Sequence, residues 1–334
     1  MAPHNTINPL STDAIYNLSG RVALVTGGGS GIGLMIAQGL AMNGAVVYIA
    51  GRRREVLEKA VKSLSKDAKG SLHHVQMDVT DKESIKKVVT IIEEREGKLH
   101  ILVNNSGKVG PVSHFFSDLA APQHADAGTL GRALFDNESF ESWSSLHAVN
   151  TTSIFFVTTA FLGLLTCGAS EEGTGGHSSV VNVTSISGIG RLSQDHFAYN
   201  SSKAASSHLT RMMATEFVLK RVPVHVNAVA PGVYASEMTS TQLRPDQTDK
   251  VAKGIQPVPA GRPGSEQEMV GTVIYLPLGK SFYTVKISLL IGSRQLYSSR
   301  AHLMLPWTLL SFNSVIRRET ENELMRLDQV KDRI

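Results

Sequence analysis

The chain has 334 residues, 42% of them hydrophobic and 19% charged, with a formal net charge of +4 at pH 7. This composition is typical of a globular protein and excludes disordered and fibrous chains. The 33 basic and 29 acidic residues are spread along the sequence, so a nucleic-acid partner is not expected. The single cysteine, Cys167, excludes an internal disulfide, and its apolar neighbours predict a buried thiol in a reducing compartment.

The two ends of the chain differ from its middle. Residues 1–18 are polar and lack the apolar centre of a signal peptide, and the sequence contains no run of ~18 apolar residues. A cytoplasmic protein without a membrane partner is therefore expected. Because single cores stop growing near ~250 to 300 residues, we predict one domain over residues 19–276, an N-terminal extension at 1–18 and an atypical C-terminal tail at 277–334.

From Arg21 onward, short β-rich runs alternate with longer helical patterns. Their near-continuous Val, Ile, Leu and Ala residues indicate strands buried on both faces, so we predict an α/β fold with a Rossmann-type, doubly wound parallel sheet. The predicted strands are Arg21–Thr26, Ala45–Ala50, Leu72–Met77, Leu99–Val103, Ser179–Val183 and Val222–Val229. The predicted helices are Gly31–Asn43, Glu55–Ser65, Lys82–Glu96, Phe140–Leu165 and Ala198–Lys220.

Two long, proline-containing segments interrupt this alternation. Residues 108–137 and 233–264 each follow the end of a predicted strand. Ligands of open parallel sheets bind at the carboxyl ends of the strands, and connections of this length are commonly functional. We therefore predict that residues 233–264 form a substrate loop and that residues 108–137 contribute to the same site.

A glycine-rich octet, residues 26–33, lies between the first strand and the first helix. Glycines permit a tight turn and close backbone approach, so that the helix N-terminus presents its amides to a pyrophosphate. A flexible loop has a similar composition, but the position directly after a strand favours a dinucleotide site. The residues predicted to bind the cofactor here are Gly27, Ser30, Gly31, Ile32 and Gly33.

The end of the second strand indicates which dinucleotide is used. A carboxylate at this position hydrogen-bonds the ribose hydroxyls of NAD, and the sequence has Gly51 followed by Arg52 and Arg53 instead. These arginines suit a 2′-phosphate. The alternative is a solvated basic helix start, which is electrostatically unfavourable and itself invites an anion. We expect NADP(H) rather than NAD(H).

Tyr199 and Lys203 stand four positions apart at the start of a predicted helix and so project from one face. An ammonium beside a phenol favours the phenolate, which suits proton transfer. Such a pair also occurs by chance on helix surfaces. The glycine octet upstream and Ser185, whose hydroxyl follows the fifth strand and can orient a substrate oxygen, favour the catalytic interpretation.

The ordered motifs resemble the short-chain dehydrogenase/reductase family over about Leu18 to Leu276, with similarity to NADP-dependent 3-oxoacyl-carrier-protein reductases and other ketoreductases. The motifs are Thr-Gly-x-x-x-Gly-Ile-Gly, Asn104-Asn105-Ser106-Gly107, Asn150, Ser185, Tyr199-x-x-x-Lys203 and Pro231-Gly232. The resemblance implies catalytic roles for Ser185, Tyr199, Lys203 and Asn150. It implies further cofactor contacts from Asp78, Val79, Asn104, Gly107, Tyr199, Lys203, Pro231, Gly232 and Val233.

The resemblance also implies individual roles. Tyr199 exchanges a proton as a carbonyl is reduced or a secondary alcohol oxidised, and family spacing selects Ser185 over Thr184 and Ser187. Asn150 holds a water that links Lys203 to solvent; a buried asparagine bonded to backbone is the structural alternative. Asp78 faces the adenine amino group, and Val79 packs on the ring.

The resemblance implies a homodimer formed by helices at residues 138–167 and 196–221. A tetramer is doubtful, because the family's Asp-Gly-Gly ending is absent after a possible strand at Thr284–Ile291. The second hypothesis is a nucleotide-binding regulatory or scaffold protein of the same fold with little turnover, which the intact catalytic set disfavours. No metal is expected, because His147, His196 and His208 lack zinc-ligand spacing.

Overall fold

A single parallel sheet organises the computed structural model, which describes residues 11–171, 177–234, 262–276 and 287–290. Within those residues the sheet has seven strands in the order β3-β2-β1-β4-β5-β6-β7, and every neighbouring pair is parallel. The strands are β1 (Val22–Thr26), β2 (Val46–Gly51), β3 (Ser71–Gln76), β4 (Ile101–Asn104), β5 (Ser178–Val183), β6 (Val224–Pro231) and β7 (Ile287–Leu290).

Helices cover both faces of this sheet. Leu40 of α2 and Met269 of α10 are buried in the core on one face, and Val88 of α4, Val157 of α7 and Met213 of α9 are buried on the other. The helices are α1 (Thr12–Ile15), α2 (Gly31–Met42), α3 (Arg54–Lys62), α4 (Lys82–Glu96), α5 (Ala127–Asn137), α6 (Phe140–His147), α7 (Ser153–Ala160), α8 (Leu162–Ala169), α9 (Phe197–Leu219) and α10 (Glu266–Tyr275).

The strand sequences explain this two-sided burial. All residues of β1 and of β5 are buried, because each strand lies between neighbouring strands and under helices on both faces. Period-two alternation is consequently lost, and the strands are near-continuous apolar runs. The prediction of a Rossmann-type, doubly wound parallel sheet is confirmed, with strand ends within two residues of those expected.

The structure departs from the prediction along the stretch expected to be one helix, Phe140–Leu165. That stretch contains α6, a π-helical turn at Ala148–Thr152, α7 and α8, with a break at Phe161. The π turn contains Asn150, and π turns inserted in helices are frequent at functional sites. Helical periodicity alone does not distinguish one long helix from this interrupted one.

Three helices, α1, α5 and α10, were not predicted, although α5 and α10 each begin with a recognisable capping residue. The side chain of Asp126 accepts a hydrogen bond from the Thr129 amide at the start of α5. Ser265 and Glu268 form a reciprocal capping box at the start of α10. Both patterns are visible in the sequence, but proline and polar residues around them favoured an irregular interpretation.

Some predictions concern residues at the margins of the described structure. Strand β7 lies within Thr284–Ile291 and pairs with β6, so the sheet extends beyond residue 276, the predicted domain end. Residues 1–10, 235–261 and most of the predicted tail are outside the described residues. The expectation of a buried Cys167 was wrong, because this thiol is exposed on α8.

A helix can span a membrane only if it is both long and apolar. Among the described residues, no single helix is both long and apolar enough to cross a membrane. The segments Phe140–Ala160 and Leu162–Ala169 meet both conditions only as a pair, with a bend of 56° between them.

A buried histidine joins the amino-terminal ends of β1 and β4. His100 is 3% exposed; its Nδ1 accepts a hydrogen bond from the Val22 amide at 2.9 Å, and its Nε2 lies 2.9 Å from Glu171 Oε2. Nδ1 is thus an acceptor, so the proton of the neutral ring is on Nε2. Burial lowers the pKa of His100; Glu171 opposes that change, while Arg21 and Lys98 add to it.

We expect this histidine to make folding stability depend on pH. Because the folded pKa lies below the unfolded value of ~6.5, its contribution is complete above pH ~6.5 and is lost as pH falls toward the folded pKa. Urea unfolding of the wild type and of His100→Gln measures this directly. The stability difference between them should shrink on acidification, and a difference that stays constant from pH ~8 to ~5 would contradict the prediction.

Candidate active site

The turn between β1 and α2 requires glycine at specific positions. Gly27 and Gly31 have φ values of +63° and +52°, in the left-handed region. A Cβ on Gly33 would lie 2.3 Å from the Gly27 carbonyl oxygen and 2.4 Å from Asn105 Nδ2. The first turn of α2 therefore approaches the glycine turn more closely than any side chain at position 33 allows.

Residues that follow β4 hold this turn through hydrogen bonds. Asn105 Nδ2 donates to the carbonyl oxygens of Thr26 and Gly27 at 3.0 and 3.1 Å. The Thr26 hydroxyl accepts from the backbone amides of Asn105 and Ser106 at 3.0 and 3.1 Å. Asn105 was named only as part of a motif, yet its side chain holds the glycine turn in shape.

The neighbouring Asn104 occupies a different environment from the one expected. Its side chain is buried, and its Nδ2 donates to Thr158 Oγ1 at 3.0 Å and to Asn182 Oδ1 at 2.9 Å. Successive residues of a strand point to opposite faces, so Asn104 faces the core between β5 and α7. The Asn104 side chain therefore lies in the core, and Asn105 lies at the glycine turn. The cofactor contact expected of Asn104 stays a prediction.

The amino terminus of α2 suits an anion. Ser30 immediately precedes the helix in an extended conformation, and its side chain forms no capping hydrogen bond. The first-turn amides, including those of the predicted cofactor residues Gly31, Ile32 and Gly33, thus have no side-chain cap from Ser30. Uncapped helix-terminal amides and the positive dipole end are suited to an anionic group such as a pyrophosphate.

The end of β2 carries the two predicted arginines. Arg52 and Arg53 are exposed, and α3 begins at Arg54 directly after them. The Arg52 carbonyl accepts a hydrogen bond from Gln76 Nε2 at 2.9 Å, which ties this end to β3. Two cations at a helix N-terminus repel the helix dipole, and a bound anion relieves that repulsion.

The residues after β3 lie beside these arginines. Asp78 Oδ1 accepts from the Thr80 amide at 2.9 Å and from the Thr80 hydroxyl at 2.7 Å. The pKa of Asp78 is lowered chiefly by the hydrogen bond from the Thr80 hydroxyl, and the charge on Arg52 lowers it further. Val79 is 9% exposed and lies in the core next to them. Asp78 is therefore an ionised acceptor at this edge of the sheet.

Ser185 is brought to the reaction site by a short turn after β5. It caps the 3-10 turn Ile186–Gly188, and its Oγ accepts from the Ser187 amide at 3.1 Å. A Cβ on Gly188 would lie 2.5 Å from the Lys203 carbonyl carbon, so this turn packs directly on the backbone of α9. Ser185 consequently lies against the helix that carries Tyr199.

Tyr199 and Ser185 interact through their side chains. Burial raises the pKa of the Tyr199 phenol, and a hydrogen bond with Ser185 partly opposes that effect. The phenol is thus protonated near neutral pH in the absence of other charges. A buried, protonated hydroxyl beside a second hydroxyl forms a pair of donors for one substrate oxygen.

Lys203 lies inside the protein one helical turn after Tyr199. Its side chain is 5% exposed, its Nζ donates to the Val183 carbonyl at 2.9 Å, and the same atom lies 5.8 Å from the centroid of the Tyr199 ring. Burial lowers the pKa of Lys203 to about 8. A cation at this distance favours the phenolate form of Tyr199.

Asn150 completes the cluster from the π turn. It is 1% exposed; its Oδ1 accepts from the Lys108 amide at 2.9 Å, and its Nδ2 donates to the Lys108 carbonyl at 3.0 Å and to Ser202 Oγ at 3.1 Å. A Cβ on Gly107 would lie 3.4 Å from Asn150 Oδ1 and 3.7 Å from Lys203 Nζ. The structure therefore brings the four predicted catalytic residues together at the carboxyl edge of the sheet.

The last predicted cofactor residues follow β6. Pro231 ends the strand and is buried, while Gly232 and Val233 are half-buried. The Val233 carbonyl accepts a hydrogen bond from the Gly264 amide at 2.8 Å, which joins the two ends of the predicted substrate loop. The residues between them, 235–261, are outside the described structure. Among the residues that are described, no group of three His, Cys, Asp or Glu side chains is arranged to hold a metal ion.

These features are those of an α/β protein with a parallel sheet and with Ser185, Tyr199 and Lys203 clustered at its carboxyl edge, and sequence comparison identifies its family. The family described as short chain dehydrogenase matches residues 21–247. The chain belongs to the short-chain dehydrogenase/reductase family, whose members are oxidoreductases that act on CH–OH or C=O groups of small molecules.

Individual relatives are similar over most of their length. The short-chain dehydrogenase/reductase PhomF of Diaporthe leptostromiformis is 34% identical over 265 residues, covering 78% of this chain and 86% of the relative. The rhamnolipids biosynthesis 3-oxoacyl-[acyl-carrier-protein] reductase of Pseudomonas aeruginosa is 33% identical over 261 residues, covering 78% and 90%.

Solved structures show the same architecture. The Pseudomonas aeruginosa RhlG/NADP active-site complex superposes with a TM-score of 0.66 at 29% identity, covering 86% of this chain and 98% of the other. A variant of actinorhodin polyketide ketoreductase with NADPH gives a TM-score of 0.63 at 26% identity, covering 81% and 96%.

Proposed function

We propose that this protein is an NADP(H)-dependent carbonyl reductase of ketoreductase type, which also oxidises secondary alcohols in the reverse direction. The observation that carries the proposal is the cluster of Ser185, Tyr199 and Lys203 beside the glycine turn at one edge of the sheet. A protein that only binds a nucleotide has no use for a buried lysine next to a half-buried phenol. The relatives named above that are reductases lend it further support.

Each residue at the site has a separate role in the proposed reaction. When bound, the nicotinamide supplies or accepts the hydride. Tyr199 gives its phenolic proton to the carbonyl oxygen during reduction and takes it back during oxidation. The Ser185 hydroxyl donates a hydrogen bond to the same oxygen and so stabilises the charge that develops there.

Lys203 and Asn150 act behind this pair. The Lys203 ammonium stabilises the phenolate that remains when Tyr199 has given up its proton. With a pKa of about 8, Lys203 is able to return a proton near neutral pH. Asn150 fixes the Lys108 backbone next to Lys203, which suits a water that connects the lysine to solvent.

NADP(H) is the cofactor we propose, with NAD(H) as the weaker substitute. Gly27, Gly31 and Gly33 permit the close backbone approach, and the start of α2 offers its amides to the pyrophosphate. Arg52 and Arg53 offer charge-assisted hydrogen bonds to the 2′-phosphate. The other proposed contacts are Ser30, Ile32, Asp78, Val79, Asn104, Gly107, Tyr199, Lys203, Pro231, Gly232 and Val233.

We also propose that the chain forms a homodimer through α6–α8 and α9. These helices expose large apolar side chains to solvent, among them Phe155 at 45% exposure and Met212 at 51%. Burial of such side chains is the main driving force of obligate association. The substrate is a small carbonyl or alcohol compound, and neither a nucleic-acid nor a membrane partner is proposed.

The direct test of function is NADPH oxidation by the purified protein, monitored by absorbance, against a panel of cyclic, aromatic and 3-oxoacyl ketones. Turnover of at least one ketone that is faster with NADPH than with NADH is the expected result. Tight NADPH binding without turnover on the whole panel would favour the regulatory or scaffold alternative.

We expect Arg52→Ala to weaken the use of NADPH much more than the use of NADH. Loss of a charge-assisted hydrogen bond to phosphate costs about 1.5–3 kcal/mol, so the KM for NADPH should rise about tenfold to hundredfold. The KM for NADH, which lacks the 2′-phosphate, should change by less than about twofold. Arg54→Ala is the matched control, because Arg54 pairs with Glu58 along α3 at 2.8 Å. Equal effects of Arg52→Ala on both cofactors would refute the assignment.

A further inference from the structure

Two consecutive residues just before α9 have an unusual backbone. Gln194 and Asp195 have φ values of +53° and +67°, and in the described part of the chain only one other non-glycine residue, Arg221, has a positive φ. Side chains other than glycine rarely adopt this left-handed conformation unless their surroundings hold it. Asp195 lies four positions before Tyr199. A strained segment thus leads directly into the catalytic helix.

The surroundings that hold Asp195 come from the long connection after β4. Asp195 is 7% exposed, and its backbone carbonyl accepts from the Ser113 amide at 2.9 Å. Its carboxylate accepts a short hydrogen bond from the Ser117 hydroxyl. Backbone and side chain are therefore both held by one segment, and we refer to Ser113 and Ser117 as the serine clip.

The serine clip is itself anchored. Ser113 is fully buried, and its hydroxyl donates to Glu138 Oε1 at 2.7 Å and accepts from Asn137 Nδ2 at 3.1 Å. The second oxygen of Glu138 accepts from Trp143 Nε1 at 2.6 Å. Asn137 ends α5 and Trp143 lies in α6, so both helices fix the clip.

The first turn of α9 is packed against the same segment. His196 caps this helix, and its ring meets the Tyr199 ring edge-on with centroids 6.3 Å apart. Phe197 packs edge-on against Phe116, which lies between the two clip serines, at 4.9 Å. Any displacement of Asp195 is therefore passed to the turn that carries Tyr199.

We propose that Asp195 is a positioning residue: the serine clip holds its left-handed backbone and thereby sets the orientation of Tyr199 toward Ser185 and the substrate. Aspartate suits this place because it tolerates the left-handed region and also supplies the carboxylate that Ser117 binds. The connection at residues 108–137 is then part of the catalytic framework and not only a rim of the substrate pocket. The catalytic consequence rests on the proposed function of Tyr199.

The test compares substitutions that separate backbone strain from hydrogen bonding. Asp195→Ala removes the acceptor and disfavours the left-handed backbone, so kcat should fall about tenfold or more, with the KM for NADPH changed by less than about twofold. Asp195→Asn keeps an acceptor oxygen and the tolerance for positive φ, so it should retain at least about half of the wild-type kcat. Ser117→Ala removes only one hydrogen bond, so its kcat should lie between those of Asp195→Ala and Asp195→Asn.

A second readout does not depend on turnover. The ionisation of Tyr199 is followed by the ultraviolet absorbance of tyrosinate, after subtraction of the Tyr199→Phe spectrum. Burial raises the pKa of the Tyr199 phenol. Asp195→Ala and Ser117→Ala should loosen the first turn of α9 and admit water, so the pKa of Tyr199 should be lower in both variants than in the wild type. Arg221→Ala is the matched control, since it alters the third left-handed residue, which lies beyond the other end of α9.

The outcomes distinguish this proposal from the proposed function. If no ketone is reduced but the Tyr199 titration shifts in Asp195→Ala, the positioning role stands and the proposed function fails. If Asp195→Ala keeps the wild-type titration, and wild-type kcat where turnover exists, the positioning role is overturned. It is equally overturned if Arg221→Ala shifts the titration by the same amount.

Discussion

Tyr199→Phe should lower kcat for ketone reduction about 10²- to 10⁴-fold, the range that general acid catalysis contributes. The substitution removes only the phenolic hydroxyl, so the ring, its contact with His196 and the position of Lys203 remain. The affinity for NADPH, measured by fluorescence titration, should stay within about fivefold of the wild type. Steady-state kinetics on a ketone from the panel provide the measurement.

Tyr48→Phe is the matched control for this change. Tyr48 is buried in β2, and its hydroxyl donates to Glu96 at 2.6 Å, away from the site. Loss of the hydrogen bond between Tyr48 and Glu96 should reduce the unfolding free energy by about 1 kcal/mol and leave kcat unchanged. A Tyr199→Phe enzyme with wild-type kcat would show that another group supplies the proton.

Gly33→Ala should raise the dissociation constant for NADPH about tenfold to hundredfold. The new methyl group meets the Gly27 carbonyl and the Asn105 amide at distances that no rotamer relieves, and such overpacking costs about 1–3 kcal/mol. The glycine turn must then move away from the start of α2. Asn105→Ala should also weaken binding, without a clash, because it removes both hydrogen bonds to the turn.

Gly163→Ala is the matched control for Gly33→Ala, because it adds the same methyl group at a position with open space. Gly163 lies in α8, and apart from its chain neighbours and the adjacent backbone of the helix no heavy atom lies within 4 Å of the added Cβ. Alanine is the better helix former there by about 0.5–1 kcal/mol, so stability should rise and NADPH affinity should stay constant. If Gly33→Ala bound NADPH as tightly as the wild type, the glycine turn would not be the cofactor site.

The parts of the fold predicted from sequence are those with strong periodic or compositional signals. The apolar runs of β1 and β5 and the helical pattern of Lys82–Glu96 were identified within a residue or two, because burial on two faces leaves few polar positions. The glycine octet, Ser185, Tyr199 and Lys203 were found because their order along the chain is unusual, and the structure brings them to one edge of the sheet.

The remaining features depend on contacts that no local pattern contains. The π turn at Ala148–Thr152 was included in one predicted helix, because its contacts with Lys108 and Ser202 are not visible in the local sequence. Asn104 and Asn105 are identical in type, and the direction of a strand residue decides which one faces the glycine turn. Asp195 was not singled out, because its left-handed backbone is stabilised by Ser113 and Ser117 from a distant segment.

The tie between Asn105 and the glycine turn has a consequence for the order of events in folding. Asn105 and Thr26 are 79 positions apart in the chain and meet only when β4 has paired with β1. Contacts of such separation form late and slow the folding of parallel sheets. During synthesis, the glycine turn is therefore incomplete until well after its glycines have left the ribosome. Added NADPH should retard unfolding of the finished sheet more than it accelerates its formation.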